Sequence, residues 1–187
     1  MLSRCLQRLK PHVDADALAL TGGVALAALL PGSRTRVADV DFVARRMDAV
    51  RPSVTRDFLV SHYHVAPDKP IVQLVDPETR LRLDIFPDRL DSVARATLRN
   101  GWRIVTAADL LAHKRTLLDG PVDEKHWRDA LALAALLREP PPARPPELRP
   151  DVYCTDLAYV CARCTRSASA DFPIALKQTI LDILGYL

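Results

Sequence analysis

No stretch of this 187-residue chain approaches the ~20 consecutive apolar residues of a membrane-spanning helix. The opening Met1-Leu-Ser-Arg-Cys-Leu-Gln-Arg-Leu-Lys10 also lacks the apolar run of a secretory signal, so a cytoplasmic protein with no membrane partner is expected. Cysteine is scarce. Cys5, Cys154, Cys161 and Cys164 lack the paired C-x-x-C…C-x-x-C spacing of a zinc site, and without an export signal they are expected as reduced thiols. The last three fall at i, i+7 and i+10, one helical stripe, which predicts core packing; a zinc site completed by Cys5 is the alternative. Excess charge of one sign is small too: 26 basic against 23 acidic residues leave a formal +3, which does not establish nucleic-acid binding and excludes neither an NTP nor an RNA partner. No internal repeat is present.

What the chain does contain is 49% hydrophobic and 26% charged residues, enough for one core and a small helical appendage, and unlike a fibrous or disordered chain. Six of the fifteen prolines crowd into Pro140–Pro150, which cannot continue a helix. The chain therefore divides into a main domain over 1–139, a proline-rich linker over 140–150, and a C-terminal extension over 151–187. That extension has room for two short helices, expected to pack on the main domain, the last closing between Pro173 and Gly185.

Within the main domain, Leu18-Ala-Leu-Thr21 reads as a short apolar strand, and Val24-Ala-Leu-Ala-Ala-Leu-Leu30 as a helix ended by Pro31-Gly32. The Gly22-Gly23 pair between them would let backbone approach a ligand, and the free N–H groups of the helix start favour an anion such as triphosphate. Next, Val37-Ala-Asp-Val-Asp-Phe-Val43 alternates with period two: Val37, Asp39, Asp41 and Val43 share one face, Val40 and Phe42 the other. An isolated Asp-x-Asp is as a rule only a solvated strand face. Asp84 changes that reading, because in Leu81-Arg-Leu-Asp-Ile-Phe86 it shares a face with Arg82 and Phe86, opposite the apolar Leu81, Leu83 and Ile85. Val60–Val65 and Ile71–Val75 supply further strands, and Asp76-Pro-Glu-Thr-Arg80 a turn. The fold class expected is α/β (α+β), a small mixed sheet flanked by helices. If the Asp84 strand lies beside the Asp39 strand, three acids meet in a site suited to a divalent metal and nucleotide phosphate.

Thr21-Gly-Gly-Val-Ala-Leu26, Asp39-Val-Asp-Phe-Val43 and Leu83-Asp-Ile-Phe86 together resemble the DNA polymerase β-type nucleotidyltransferase superfamily, and within it the abortive-infection and toxin-antitoxin nucleotidyltransferases. The resemblance covers roughly residues 18–137. It implies a nucleotidyltransferase fold in which Asp39, Asp41 and Asp84 hold two Mg²⁺ ions against an NTP. It also implies a lysine near the phosphates on the helix after Thr106-Ala-Ala-Asp109, matched by Lys114, and a Lys-Asp-x-x-Asp pattern on the next helix, matched in part by Lys125 and Asp129. Thr106 and Asp109 themselves read as a capping box, and about 123–138 as the second helix. The chain departs from the family pattern at Val24, Val37 and His126, the last standing where an aspartate is usual.

Arg36, and less so Arg34, lies close in sequence to the aspartates, where a guanidinium fork suits phosphate oxygens; the alternative is a plain surface charge. His62 and His64 share a strand face without accompanying ligands, so a metal role for them is rejected. The expected function is transfer of NMP from an NTP to a hydroxyl of RNA, tRNA or protein, with an antitoxin as a possible partner. Gly22, Gly23, Arg36 and Lys114 would hold the nucleotide. The alternatives are a catalytically silent nucleotide- or partner-binding member and an antibiotic-modifying transferase.

Overall fold

The computed structural model describes residues 1–33, 39–65 and 70–149. The expectations for Arg34, Arg36 and Val37, for Cys154, Cys161 and Cys164, and for the C-terminal extension lie outside them.

Seven strands form one mixed sheet: β1 (Leu18–Thr21), β2 (Asp39–Ala44), β3 (Leu59–His64), β4 (Ile71–Val75), β5 (Arg82–Pro87), β6 (Thr97–Arg99) and β7 (Trp102–Ile104). Their order is β3-β4-β5-β2-β1-β7-β6. β2 lies at the centre, antiparallel to β1 and parallel to β5. Two strands that run parallel need a long crossover, here the β3–β4 hairpin, which returns the chain so that β5 enters alongside β2. The α/β class and mixed sheet expected from the sequence are what the chain adopts.

Alternation sets the core. Val40, Phe42, Leu83, Ile85 and Leu74 are fully buried, and Phe42 meets Trp102 with ring centroids 5.4 Å apart. Truncating Phe42 to alanine would cost about 3–5 kcal/mol. The β4–β5 turn is tied by Asp76, which accepts from the Thr79 hydroxyl at 2.6 Å and the Glu78 N–H at 3.1 Å while Arg80 takes a left-handed conformation.

Helices flank the sheet: α1 (Leu2–Leu9), α2 (Gly22–Leu29), α3 (Ser92–Arg95), α4 (Ala107–Thr116) and α5 (Glu124–Leu137). α1 turns Cys5 and Leu9 into the core, with Leu2 and Leu6 packed against it, an i, i+3, i+4, i+7 stripe. α4 begins at the predicted cap: the Thr106 hydroxyl oxygen accepts from the Asp109 N–H at 3.1 Å. α2 packs on β2 and α4, and α4 on α5. After α5 the proline-rich stretch runs back along the domain, where β8 (Val122–Asp123) pairs in parallel with β9 (Leu148–Arg149) and the Arg144 guanidinium lies 5.5 Å from the Trp127 ring centre. No helix among the described residues is long and apolar enough to cross a membrane.

Candidate functional site

Pairing of β2 with β5 brings the acids together. In this parallel ladder Asp41 stands opposite Asp84 and Asp39 opposite Arg82, so all four side chains leave the same face of the sheet. One carboxylate oxygen from each of Asp39, Asp41 and Asp84 lies within 4.8 Å of the others, a spacing at which one cation could be shared. Among the described residues no other group of three or more His, Cys, Asp or Glu side chains comes as close. Asp84 is deepest at 3% exposure, while Asp39 and Asp41 are half-buried.

The carboxylate of Asp41 is wedged under the start of α2. A Cβ on Gly22 would lie 1.9 Å from Asp41 Oδ2, and Gly22 has φ +59°, a backbone conformation other residues rarely adopt. The two glycines therefore differ: Gly22 makes room for Asp41, whereas a Cβ on Gly23 would meet nothing within 4 Å. Gly23 sits in the first turn of α2, whose leading N–H groups have no partner within the helix. Burial, with the negative charges of Asp39 and Asp84, pushes the Asp41 carboxyl up to about 7, against the opposing pull of Arg82 and Lys114. Burial also raises Asp84, which Arg82 and Gln73 partly hold down. Three hard oxygen donors whose mutual repulsion Arg82 relieves only in part fit a divalent cation such as Mg²⁺.

Sequence reasoning gave no role to two residues that touch the acids. Arg82 Nη2 lies 2.7 Å from Asp84 Oδ2 and 3.2 Å from Asp39 Oδ2. Gln73 on β4 donates to Asp84 Oδ1 at 3.1 Å. Arg82 was accessible from the alternation, being two residues before Asp84. Gln73 was not, because it requires the β4–β5 register that sets Gln73 opposite Asp84.

Lys114 projects from α4 to α5 and is only 6% exposed. Its ammonium lies 2.9 Å from Asp129 Oδ2 and donates to His126 Nδ1 at 2.9 Å. His126 and Asp129, three apart on α5, share a helix face, so both meet the same lysine. Burial first, then the charges of Lys114 and Lys125, push His126 down to about 4, leaving its imidazole neutral and able to accept. Lys125 lies 3.7 Å from Asp123. His113, beside Lys114 in sequence, is also lowered by burial. The remaining described cysteine, Cys5, is buried, and its thiol is pushed up to about 12, so it stays protonated and unreactive.

No family model matches the chain, and no curated protein matches it. Among solved structures it is similar to a candidate nucleotidyltransferase from Helicobacter pylori, at 14% identity and TM-score 0.45, covering 98% of this chain and 90% of that one. It is also similar to an antigenic nucleotidyltransferase-like protein from Paracoccidioides brasiliensis, at 20% identity and TM-score 0.43, covering 72% of each chain. A third, JHP933 from Helicobacter pylori, is 13% identical with TM-score 0.45 over 98% of this chain and 87% of its own. At such identities the likeness extends to no residue's role.

Proposed function

We propose that this chain is a metal-dependent nucleotidyltransferase that moves NMP from an NTP to a hydroxyl acceptor on RNA, tRNA or protein. The observation that carries this reading is the convergence of the Asp39, Asp41 and Asp84 carboxylates within 4.8 Å beside an open helix start.

Asp39, Asp41 and Asp84 would hold Mg²⁺, which when bound supplies positive charge to the attacking and leaving oxygens of an in-line displacement. The chain's own residues do the rest. Gly23 and the leading N–H groups of α2 receive phosphate oxygens without steric obstruction. Lys114, whose charge acts to lower the Asp41 carboxyl, would supply a further cation to the phosphates. Asp84, made more basic by burial, accepts the proton of the acceptor hydroxyl as its oxygen bonds to the α-phosphorus and the bond to pyrophosphate breaks. Arg36 is proposed as a further phosphate contact, and restraint by an antitoxin belongs to the same reading.

A second reading is favoured by Arg82, whose guanidinium already neutralises two of the three acids: a silent member that binds nucleotide without transferring it. Incubating the protein with each of four labelled NTPs and Mg²⁺ in total RNA and in lysate distinguishes them. Label on a macromolecule supports transfer and identifies base and acceptor. Thermal stabilisation by NTP and Mg²⁺ with no labelled product would establish the silent reading instead.

A further inference from the structure

Gln73 on β4 stands directly opposite Asp84 on β5, and Asp84 stands opposite Asp41 on β2, so one row across three strands carries a carboxamide and two carboxylates on the same face. Side chains paired in this way are near enough to meet. Here they do: Gln73 Nε2 donates to Asp84 Oδ1 at 3.1 Å. The other oxygen, Oδ2, lies 2.7 Å from Arg82 Nη2, and the same nitrogen touches Asp39 Oδ2 at 3.2 Å. Oδ2 is therefore the oxygen of Asp84 that faces another acid. Oδ1 belongs to the β4 side.

We propose that Gln73 is a positioning residue for the divalent cation: by holding Oδ1 from the neighbouring strand, it fixes the rotation of the Asp84 carboxylate so that Oδ2 is presented to an ion shared with Asp39 and Asp41. This rests on the reading of the three acids as a metal site. Burial makes the hold matter, because at 3% exposure Asp84 has little water to take the place of the amide at Oδ1. Without that donor the carboxylate is free to turn both oxygens toward Arg82. A carboxamide suits the task because it donates to Oδ1 without bringing a charge that would compete with the ion.

Mn²⁺ alone, titrated by calorimetry against the full chain, reads the site without nucleotide or turnover. Gln73→Met keeps the length and Gln73→Leu keeps the bulk, but neither can donate, so both should bind Mn²⁺ about tenfold more weakly, the loss expected when a metal ligand loses its supporting partner. Melting curves establish that each variant is folded. The control is Ser61→Ala, which removes the hydroxyl that donates to the Gln73 backbone carbonyl at 3.2 Å and so loosens the same hairpin without touching the amide. It should lower the melting temperature and leave Mn²⁺ affinity unchanged. Parental affinity in the two Gln73 variants, or an equal loss in Ser61→Ala, would overturn the proposal by showing that the amide does not set the site. Asp84→Asn separates the underlying reading: if it leaves Mn²⁺ binding unchanged, the three acids are not the metal site. If it weakens binding while the Gln73 variants do not, only the role of Gln73 fails. In the Asp84→Asn background Gln73→Met should weaken Mn²⁺ no further, and a full additional loss there would sink the claim that Gln73 acts through Asp84.

Discussion

Gly22 and Asp41 compete for one volume: the position a Cβ would take on residue 22 lies 1.9 Å from Asp41 Oδ2. Gly22→Ala must therefore adopt a left-handed backbone and displace the carboxylate. The expected cost is about 2–4 kcal/mol from backbone strain and overpacking together. A lower melting temperature and lost divalent-ion stabilisation should appear together. Gly23→Ala meets no atom, so it should melt within a degree or so of the parent while weakening NTP binding, if phosphate approaches there. A stable Gly22→Ala variant with normal metal binding would show that Asp41 is not confined as described.

Arg82 pairs one guanidinium nitrogen with two of the three acids. Removing it with Arg82→Met leaves Asp39 and Asp84 without that shared guanidinium, and Asp84 has little access to water to compensate. We expect a loss of about 1–3 kcal/mol at neutral pH, discounted for the exposure of Asp39. Added Mg²⁺ or Mn²⁺ should recover more stability in this variant than in the parent, which paired thermal melts would measure. Equal recovery in both would mean Arg82 and the metal do not share the acids.

The pH dependence has two opposing limbs. Asp41 titrates near 7 in the fold against 3.8 ordinarily, so between those values the folded chain keeps a proton that the unfolded chain has lost, and stability falls as pH rises. His126 titrates near 4 against 6.5, so over that window the unfolded chain holds the extra proton and stability rises with pH. The two offset up to about 6.5. Above it the His126 contribution is complete while Asp41 still titrates, with Asp84 shifted in the same direction, so the melting temperature without added metal should drop through pH 7. Mg²⁺ should stabilise increasingly over the same interval, since it needs the ionised carboxylate. Asp41→Asn should flatten the drop; a drop of undiminished size in that variant would assign it elsewhere.

Asp84→Asn keeps the shape and one acceptor oxygen, enough for either Gln73 or Arg82, while removing the charge. Transfer should fall by at least about 100-fold, the scale of a lost general base or metal ligand, with the far-ultraviolet circular dichroism unchanged. Near-parental turnover in a Mg²⁺-dependent labelling assay would remove Asp84 from the mechanism.

Much of this arrangement was legible in the sequence because period-two patterning on β2 and β5 fixes which side chains share a face, and because Thr106 and Asp109 mark the start of α4 locally. The same alternation placed Arg82 beside Asp84 but could not show that its guanidinium turns back onto the acids. What could not be read depends on register or packing between distant segments: Gln73 against Asp84, and Lys114 against two residues of α5. The stripe of α1 and the short β6–β7 hairpin went unread for a different reason. Three-residue strands give too few alternations to recognise, and in the eight residues of α1 the apolar stripe is interrupted by Arg4, Gln7 and Arg8.

The parallel pairing of Leu148–Arg149 with Val122–Asp123 has a practical corollary for anyone shortening the protein. A recombinant boundary set at the first of the clustered prolines would strip Val122 of its neighbour and take Arg144 away from Trp127. A stop codon placed after residue 149 keeps both attachments, and would be the better starting point for crystallisation.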